Sequence, residues 1–334
     1  MALFPGRCPG SPHTVELMPA EGSGCRNYQG PAWYRKHFVL PAETKGQRVV
    51  LHFEAAMGKQ ILYLNGKRIQ EHLGGYLPFT LDLTANGVQA GDSCLLAVFT
   101  DNSDDKSYPP GKRQYTLDFA YHGGIYRDVW MIAKSPVAIT DAIDSQIVGG
   151  GGVFVHFDKI SEKSAQVYVN TEVQNDDARS ESVTVETTLT DADGKVIKRS
   201  SGKLSLKPGE KKSIRQQMEV KNPTLWSPDT PYLYRVQSRI KKGNKSIDGG
   251  ITRVGIRLAE FRGKDGFWLN GKPFGQLVGA NRHQDFAYVG NALPNSQQWR
   301  DAKRLRDAGC TIIRVAHYPQ DPAFMDARAE LGLF

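Results

Sequence analysis

The chain has 334 residues, 40% of them hydrophobic and 23% charged, with a formal net charge of +8. That length accommodates two or three domains with substantial cores, and no apolar run approaches the roughly 20 residues that cross a bilayer, which argues against a membrane partner. The positive excess does not mark a nucleic-acid binder: Gly111-Lys112-Arg113 and Lys241-Lys242-Gly243-Asn244-Lys245 are short, fall at turns, and are interleaved with acidic residues.

Met1 to Gly10 contains Pro5 and Pro9 and lacks a charged segment followed by an apolar core, so it does not read as a signal peptide. A soluble protein is expected, cytoplasmic or periplasmic, with nothing to choose between the two. Four cysteines, Cys8, Cys25, Cys94 and Cys310, lack metal-ligand spacing. Cys94 and Cys310 sit in apolar strand-like runs and are expected to be reduced. Cys8 and Cys25 can pair only in an oxidising compartment.

From Trp33 to about Ile132 short strand patterns alternate with Gly, Asn, Asp and Pro, which predicts an all-β sandwich or barrel without helices. Gln47 to Glu54 puts Val49, Leu51 and Phe53 on one face, Ile61 to Leu64 runs into an Asn65-Gly66 turn, and Cys94 to Thr100 and Ile125 to Ile132 continue the series. Between Tyr108 and Gly124 lies a connection too long for a plain hairpin loop, and Asp118 sits within it. Long loops on rigid sandwiches often carry function. Taken alone, Asp118 is as readily an ordinary loop aspartate.

The composition shifts near Ser135-Pro136. From Val137 to about Ile256, strand patterns at Ala165 to Val173, Val183 to Thr190 and Ile214 to Val220, with an Asp193-Gly194 turn, predict an immunoglobulin-like sandwich. It carries no polar constellation and reads as a spacer.

After Arg257 the pattern changes again. An Asn270-Gly271 turn precedes a short strand at Gln276 to Gly279; a helix from Ser296 to Ala308, with Trp299, Leu305 and Ala308 on one face, starts at an Asn295 or Ser296 cap and stops at Gly309. A second strand covers Cys310 to Val315, and a second helix runs from Ala323 to Leu331 before Leu333-Phe334 opens a third strand. This is a β-α-β unit with parallel strands. Reactive groups in such folds collect where strands end. The Asn281-Arg282-His283-Gln284-Asp285 and Arg314-Val315-Ala316-His317-Tyr318-Pro319 clusters therefore share one edge, and neighbouring strands about 4.8 Å apart would let His283 and His317 reach one small molecule. Each histidine alone is as readily a loop anchor. A metal-dependent hydrolase built on the pair would need a further ligand at suitable spacing, and the sequence offers none.

These two clusters resemble paired signatures of family 2 glycoside hydrolases, which include β-galactosidases, β-glucuronidases and β-mannosidases. The likeness extends through Gly290-Asn291-Ala292-Leu293-Pro294 and Glu330-Leu331-Gly332, through Trp33-Tyr34-Arg35-Lys36, Gly74-Gly75-Tyr76-Leu77-Pro78-Phe79 and Gly123-Gly124-Ile125-Tyr126-Arg127-Asp128-Val129, and through the segment Leu225 to Tyr234. Departures from the family pattern fall at Thr311, where Asn is usual, Val315 (a small residue), Gln284 (Glu) and Ala329 (Asp).

The resemblance implies a mainly β multidomain chain: a jelly-roll sugar-binding domain over 1–136, an immunoglobulin-like sandwich over 137–257, and the start of a (β/α)₈ TIM barrel over 258–334. A complete barrel takes about 250 residues, so the chain is expected to be the N-terminal part of a longer, retaining, β-galactosidase-like exoglycosidase. Its two catalytic glutamates would lie beyond Phe334, leaving this chain without turnover. His283 and His317 would bond sugar hydroxyls, and Arg314 would keep the nucleophile carboxylate ionised. Asp118 would reach the pocket to bind hydroxyls, in some members with a sodium ion. Asn281 joins the substrate-binding candidates or orders the loop with Arg282. Asp285 lacks a partner carboxylate, and Glu330 falls at the barrel face opposite the site, so neither is expected to be catalytic. The resemblance implies a carbohydrate substrate, no cofactor in this chain, room for sodium or magnesium in the full-length enzyme, and room for a homo-oligomer. The competing reading is a non-catalytic carbohydrate-binding or scaffold protein built on the jelly-roll; such a module has no use for two histidines at neighbouring barrel-strand ends.

Overall fold

The computed structural model describes residues 27–117 and 119–334. Asp118, Cys8 and Cys25 lie outside the described residues. The chain forms two compact units, the first made of residues up to 133 with 281–301 and 314–325, the second of 134–280 with 302–313 and 326–334.

In the first unit, β1 (Pro31–Val39), β2 (Arg48–Phe53), β3 (Lys59–Leu64), β4 (Lys67–Leu73), β5 (Phe79–Asp82), β6 (Ser93–Asp101) and β7 (Val129–Lys134) form two sheets, ordered β1-β6-β3-β4 and β5-β2-β7. Strand alternation supplies the core between them: Val49, Leu51 and Phe53 meet Leu62, Leu64, Leu81, Val98 and Met131. Phe53 lies directly opposite Phe79 in the β2–β5 register, and the two rings stack at 4.6 Å. Asn65 and Gly66 both adopt positive φ, +50° and +81°, which is what a two-residue hairpin turn demands. Two single turns of 3-10 helix, Ala42–Thr44 and Gln114–Thr116, interrupt the expected all-β pattern.

The second unit holds β8 (Val137–Ile139), α1 (Ala142–Ser145), β9 (Val153–Asp158), β10 (Ser164–Asn175), β11 (Glu181–Thr190), β12 (Val196–Leu206), β13 (Lys211–Lys221), β14 (Tyr234–Lys242) and β15 (Lys245–Val254). Its sheets, β13-β10-β8 with β9 on β10, and β12-β11-β14-β15, enclose Val167, Val169, Leu189, Met218, Val220 and Val236. A small three-stranded sheet follows, of β16 (Ala259–Phe261), β17 (Phe267–Leu269) and β18 (Lys272–Pro273).

The closing segment is β19 (Gly279–Arg282), α2 (Asn295–Asp307), β20 (Ile312–Val315) and α3 (Pro322–Leu331). Thr311 N and Ile312 N donate to Val278 O, and Ala316 N donates to Arg282 O, a register that advances in the same sense on both strands and is therefore parallel. Phe334 N donates to Thr311 O while its own O accepts from Ile313 N, so the chain after α3 adds itself to β20 as a third strand begins.

Several boundaries differ from those expected. The first barrel strand starts at Gly279, not Gln276, and contains Asn281 and Arg282. Gly279 fits because a Cβ there would sit 1.7 Å from Ile312 O, while Arg282 is 6% exposed and bonded by Gln298, Asp301 and Gln320. No propensity scale favours such a strand; partners far along the chain satisfy it. In α2 the helix starts at Asn295, one residue early for the expected cap, and its inward residues are Gln298 and Ala302, leaving Trp299 40% exposed. Gln298 turns inward because it serves Arg282. Of the two described cysteines, Cys94 lies within a strand and Cys310 precedes β20; both are free thiols. Among the described residues no helix is long and apolar enough to cross a membrane.

Candidate active site

The site is built wholly within the first unit, where the ends of β19 and β20 meet the loop between β6 and β7. His283 follows β19 and His317 follows β20, and their rings lie 5.4 Å apart at 79°, edge to face. The sequence reading thus placed them correctly side by side. The Ala316–His317 peptide is cis. Arg314, exposed, donates from Nη1 to His317 Nδ1 at 2.7 Å and reaches Asn281 Oδ1 at 3.5 Å. A guanidinium can only donate, so Nδ1 of His317 is an acceptor and its proton sits on Nε2, away from Arg314. Asn281 thus meets Arg314, and Arg314 orients His317.

His283 is oriented from the other side. Its Nδ1 lies 3.4 Å from the Tyr318 hydroxyl, which also accepts from the Gln284 backbone N–H at 3.4 Å. Burial pushes the Tyr318 phenol well above its ordinary range, so this hydroxyl keeps its proton and can donate to the imidazole. Tyr318 in turn stacks on Tyr76 at 4.4 Å with the planes 6° apart.

Phe119 covers the pair. Its ring lies 5.5 Å from His283, 5.7 Å from His317 and 5.5 Å from Tyr318. The jelly-roll loop thus supplies an apolar wall beside two polar rings, the composition expected where a sugar presents C–H and O–H groups together.

Arg127, 3% exposed, fastens this loop to both strand ends: it donates to Tyr76 O at 3.2 Å, to Gln284 Oε1 at 3.3 Å and to Pro319 O at 2.6 Å. Around it gather Glu54, Asp128 and Asp321. Burial pushes the Glu54 carboxyl up to about 7, against the Trp130 Nε1–H···Oε1 bond of 2.8 Å that lowers it, and the charges of Asp321 and Asp128 raise it further. Burial also raises Asp321, with Asp128 adding to the effect and the Ala323 N–H and Arg127 opposing it.

Asp285 lies beside His122, whose Nε2 is 3.8 Å from Oδ2. Burial pushes the Asp285 carboxyl upward, but His122 and His283 outweigh it and hold it below its usual range. Glu330 belongs to the second unit, where it pairs with Arg253. Among the described residues no group of three or more His, Cys, Asp or Glu is arranged to hold a metal ion. Phe119, Tyr76, Arg127, Tyr318 and His122 were not singled out from the sequence. Phe119 adjoins Asp118 and was within reach of that reasoning; Arg127 meets Gln284 and Pro319 across 157 and 192 residues, and no local pattern encodes that.

Three family models match in order along the chain: the family 2 glycosyl hydrolase sugar binding domain at 14–136, the central family 2 domain at 151–257 and the family 2 TIM barrel domain at 261–334. The chain belongs to glycoside hydrolase family 2. Within this family it is 33% identical over 323 residues to a β-galactosidase of Thermoanaerobacter pseudethanolicus, covering 96% of this chain and 41% of that protein. It is 33% identical over 313 residues to a β-glucuronidase of Formosa agariphila, covering 91% of this chain and 31% of that one. The crystal structure of a Bacteroides uniformis β-glucuronidase superposes with a TM-score of 0.87 at 30% identity, over 100% of this chain and 41% of the other. This family 2 chain therefore spans less than half the length of each of these three relatives. It has the family's sugar-binding and central domains and the first part of its barrel.

Proposed function

We propose that this chain forms the sugar-holding side of the active site of a retaining, exo-acting, β-galactosidase-like enzyme that hydrolyses terminal β-glycosidic bonds. The observation that carries the reading is the placement of His283 and His317 edge to face, 5.4 Å apart, under Phe119. Two imidazoles with defined proton positions can donate to adjacent hydroxyls of one pyranose, while the Phe119 ring takes its C–H face. Such contacts contribute to rate when they strengthen as positive charge develops on the sugar ring.

The reaction needs two carboxyl groups about 5 to 5.5 Å apart, one a nucleophile and one an acid that later serves as base. Asp285 faces His122 at 3.8 Å, and we assign it neither role. The two carboxylates would come from barrel strands outside these 334 residues, and Arg314, exposed at the end of β20, would orient the nucleophile and hold it ionised. Asn281 shares that edge and would assist in sugar binding. Asp118 would accept from sugar hydroxyls; any sodium ion would rest on the same residue. The structure of a B. uniformis β-glucuronidase with cyclophellitol-6-carboxylate aziridine covalently attached supports a nucleophilic, retaining course in a relative at 30% identity.

A β-glucuronide is the second substrate reading, favoured by the equal identity, 33%, to the F. agariphila β-glucuronidase and the T. pseudethanolicus β-galactosidase. The test is hydrolysis of nitrophenyl β-galactoside and β-glucuronide by residues 1–334 and by the chain extended through the whole barrel. Turnover of one glycoside by the extended chain and none by 1–334 is expected. Hydrolysis by 1–334 alone, or of neither glycoside by the extended chain, would overturn the reading.

A further inference from the structure

We propose that His122 is a positioning residue of the sugar-binding cluster: its imidazole, presented by the jelly-roll loop, holds the Asp285 carboxylate, and with it the short segment after β19 that carries His283. The proposal rests on the reading of His283 as a sugar contact and extends it to a side chain that touches neither sugar nor reacting atoms.

His122 is 2% exposed, and neither ring nitrogen has a hydrogen-bond partner among the described residues. A buried polar atom left unpaired is costly, and native proteins rarely tolerate one. A phenyl ring would fill the same space without that cost, so packing alone does not account for histidine here. The polar group facing it is Asp285 Oδ2, 3.8 Å from Nε2. That is about 1 Å beyond hydrogen-bond length, a gap that a change of rotamer at the partly exposed Asp285 side chain would close in the proposal.

Asp285 stands two residues beyond His283 and feels the charge of both His122 and His283. Tyr318 and His317 are further titratable groups on this cluster: the Tyr318 hydroxyl faces His283 Nδ1, and the His317 ring lies 5.4 Å from that of His283. With Nδ1 engaged by that hydroxyl, the placement of the His283 ring depends on where the backbone from His283 to Asp285 is held. The jelly-roll loop is thus tied at Asp285 to the segment whose His283 ring is proposed to meet the sugar.

The test uses the naturally encoded enzyme carrying H122F, H122Q, D285N, the H122F/D285N pair or H283A, with kcat/KM on the preferred nitrophenyl glycoside and the thermal midpoint measured for each. H122F and D285N should each lower kcat/KM at least tenfold, and the double variant should be no worse than the poorer single one, because both break one link. H122Q, which can still present an N–H to Asp285, should recover most of the activity. H122F should leave the thermal midpoint within a few degrees of the wild type, since it removes the partner of Asp285 and a buried polar ring together. Normal kcat/KM in H122F beside an impaired H283A would overturn the proposal, as would fully additive losses in the double variant. Normal activity in H283A would instead overturn the reading of the site on which the proposal stands.

Discussion

Glu54→Gln tests whether the buried carboxyl beside Arg127 behaves as its surroundings dictate. Glu54 is raised from 4.5 to about 7, first by burial and then by Asp321 and Asp128. A carboxyl whose pKa is raised in the folded state favours folding fully below pH 4.5, where it is protonated folded and unfolded alike. As pH rises from 4.5 to 7 the unfolded chain loses its proton first, and that stability is lost; above 7 the loss is complete. The displacement corresponds to roughly 3 kcal/mol. Glutamine keeps the oxygen that accepts from Trp130 Nε1, and its amide can donate to the neighbouring carboxylates. The Gln variant should therefore equal the wild type at pH 4.5 and exceed it by about 3 kcal/mol at pH 8, roughly 6 to 12 °C in the midpoint of that unit. Urea denaturation followed by tryptophan fluorescence at pH 4.5, 6 and 8 measures the difference directly. Asp321 is also raised and weakens the wild type at high pH, but it is present in both proteins and largely drops out of the comparison. A wild-type-to-variant gap that does not change with pH would refute the assignment.

Other changes probe the frame of the site. Arg282→Met removes bonds to Gln298, Gln320 and Asp301 and the guanidinium 4.0 Å from the Phe324 ring, and should cost about 3–5 kcal/mol in denaturant titration; Arg282→Lys should recover only part, since an ammonium lacks the planar fork. Gly279→Ala would force a Cβ to within 1.7 Å of Ile312 O and should lower stability by about 1–3 kcal/mol, whereas Gly250→Ala, with nothing within 4 Å, should change it by less than about 0.5 kcal/mol. In the extended enzyme His317→Ala should lower kcat/KM by about two orders of magnitude with an unchanged unfolding midpoint; a near-normal rate would remove it from the site.

Much of this was legible in the sequence, for reasons that can be traced to particular residues. The Asn65-Gly66 and Asn270-Gly271 turns announce themselves because those residues accept positive φ, and all four adopt it. Alternation marks the sandwich strands because one face of each is buried. The two histidines could be paired because parallel strands place their carboxyl ends together. Arg282 hid the true first barrel strand, since a buried arginine satisfied from α2 and from Gln320 leaves no periodic trace. Phe119, Arg127 and His122 were hidden for a different reason: they belong to a loop that meets the histidine-bearing segments only after both have folded, and their chemistry depends on partners more than a hundred residues away.

The most direct measurement is a crystal structure of the enzyme, extended through its barrel, with a non-hydrolysed β-galactoside or a covalent sugar inhibitor bound. The account predicts that His283 and His317 each bond a hydroxyl of the same pyranose while the Phe119 ring lies against its C–H face. A sugar seated elsewhere, with either imidazole more than about 5 Å from every hydroxyl, well outside hydrogen-bond range, would contradict it.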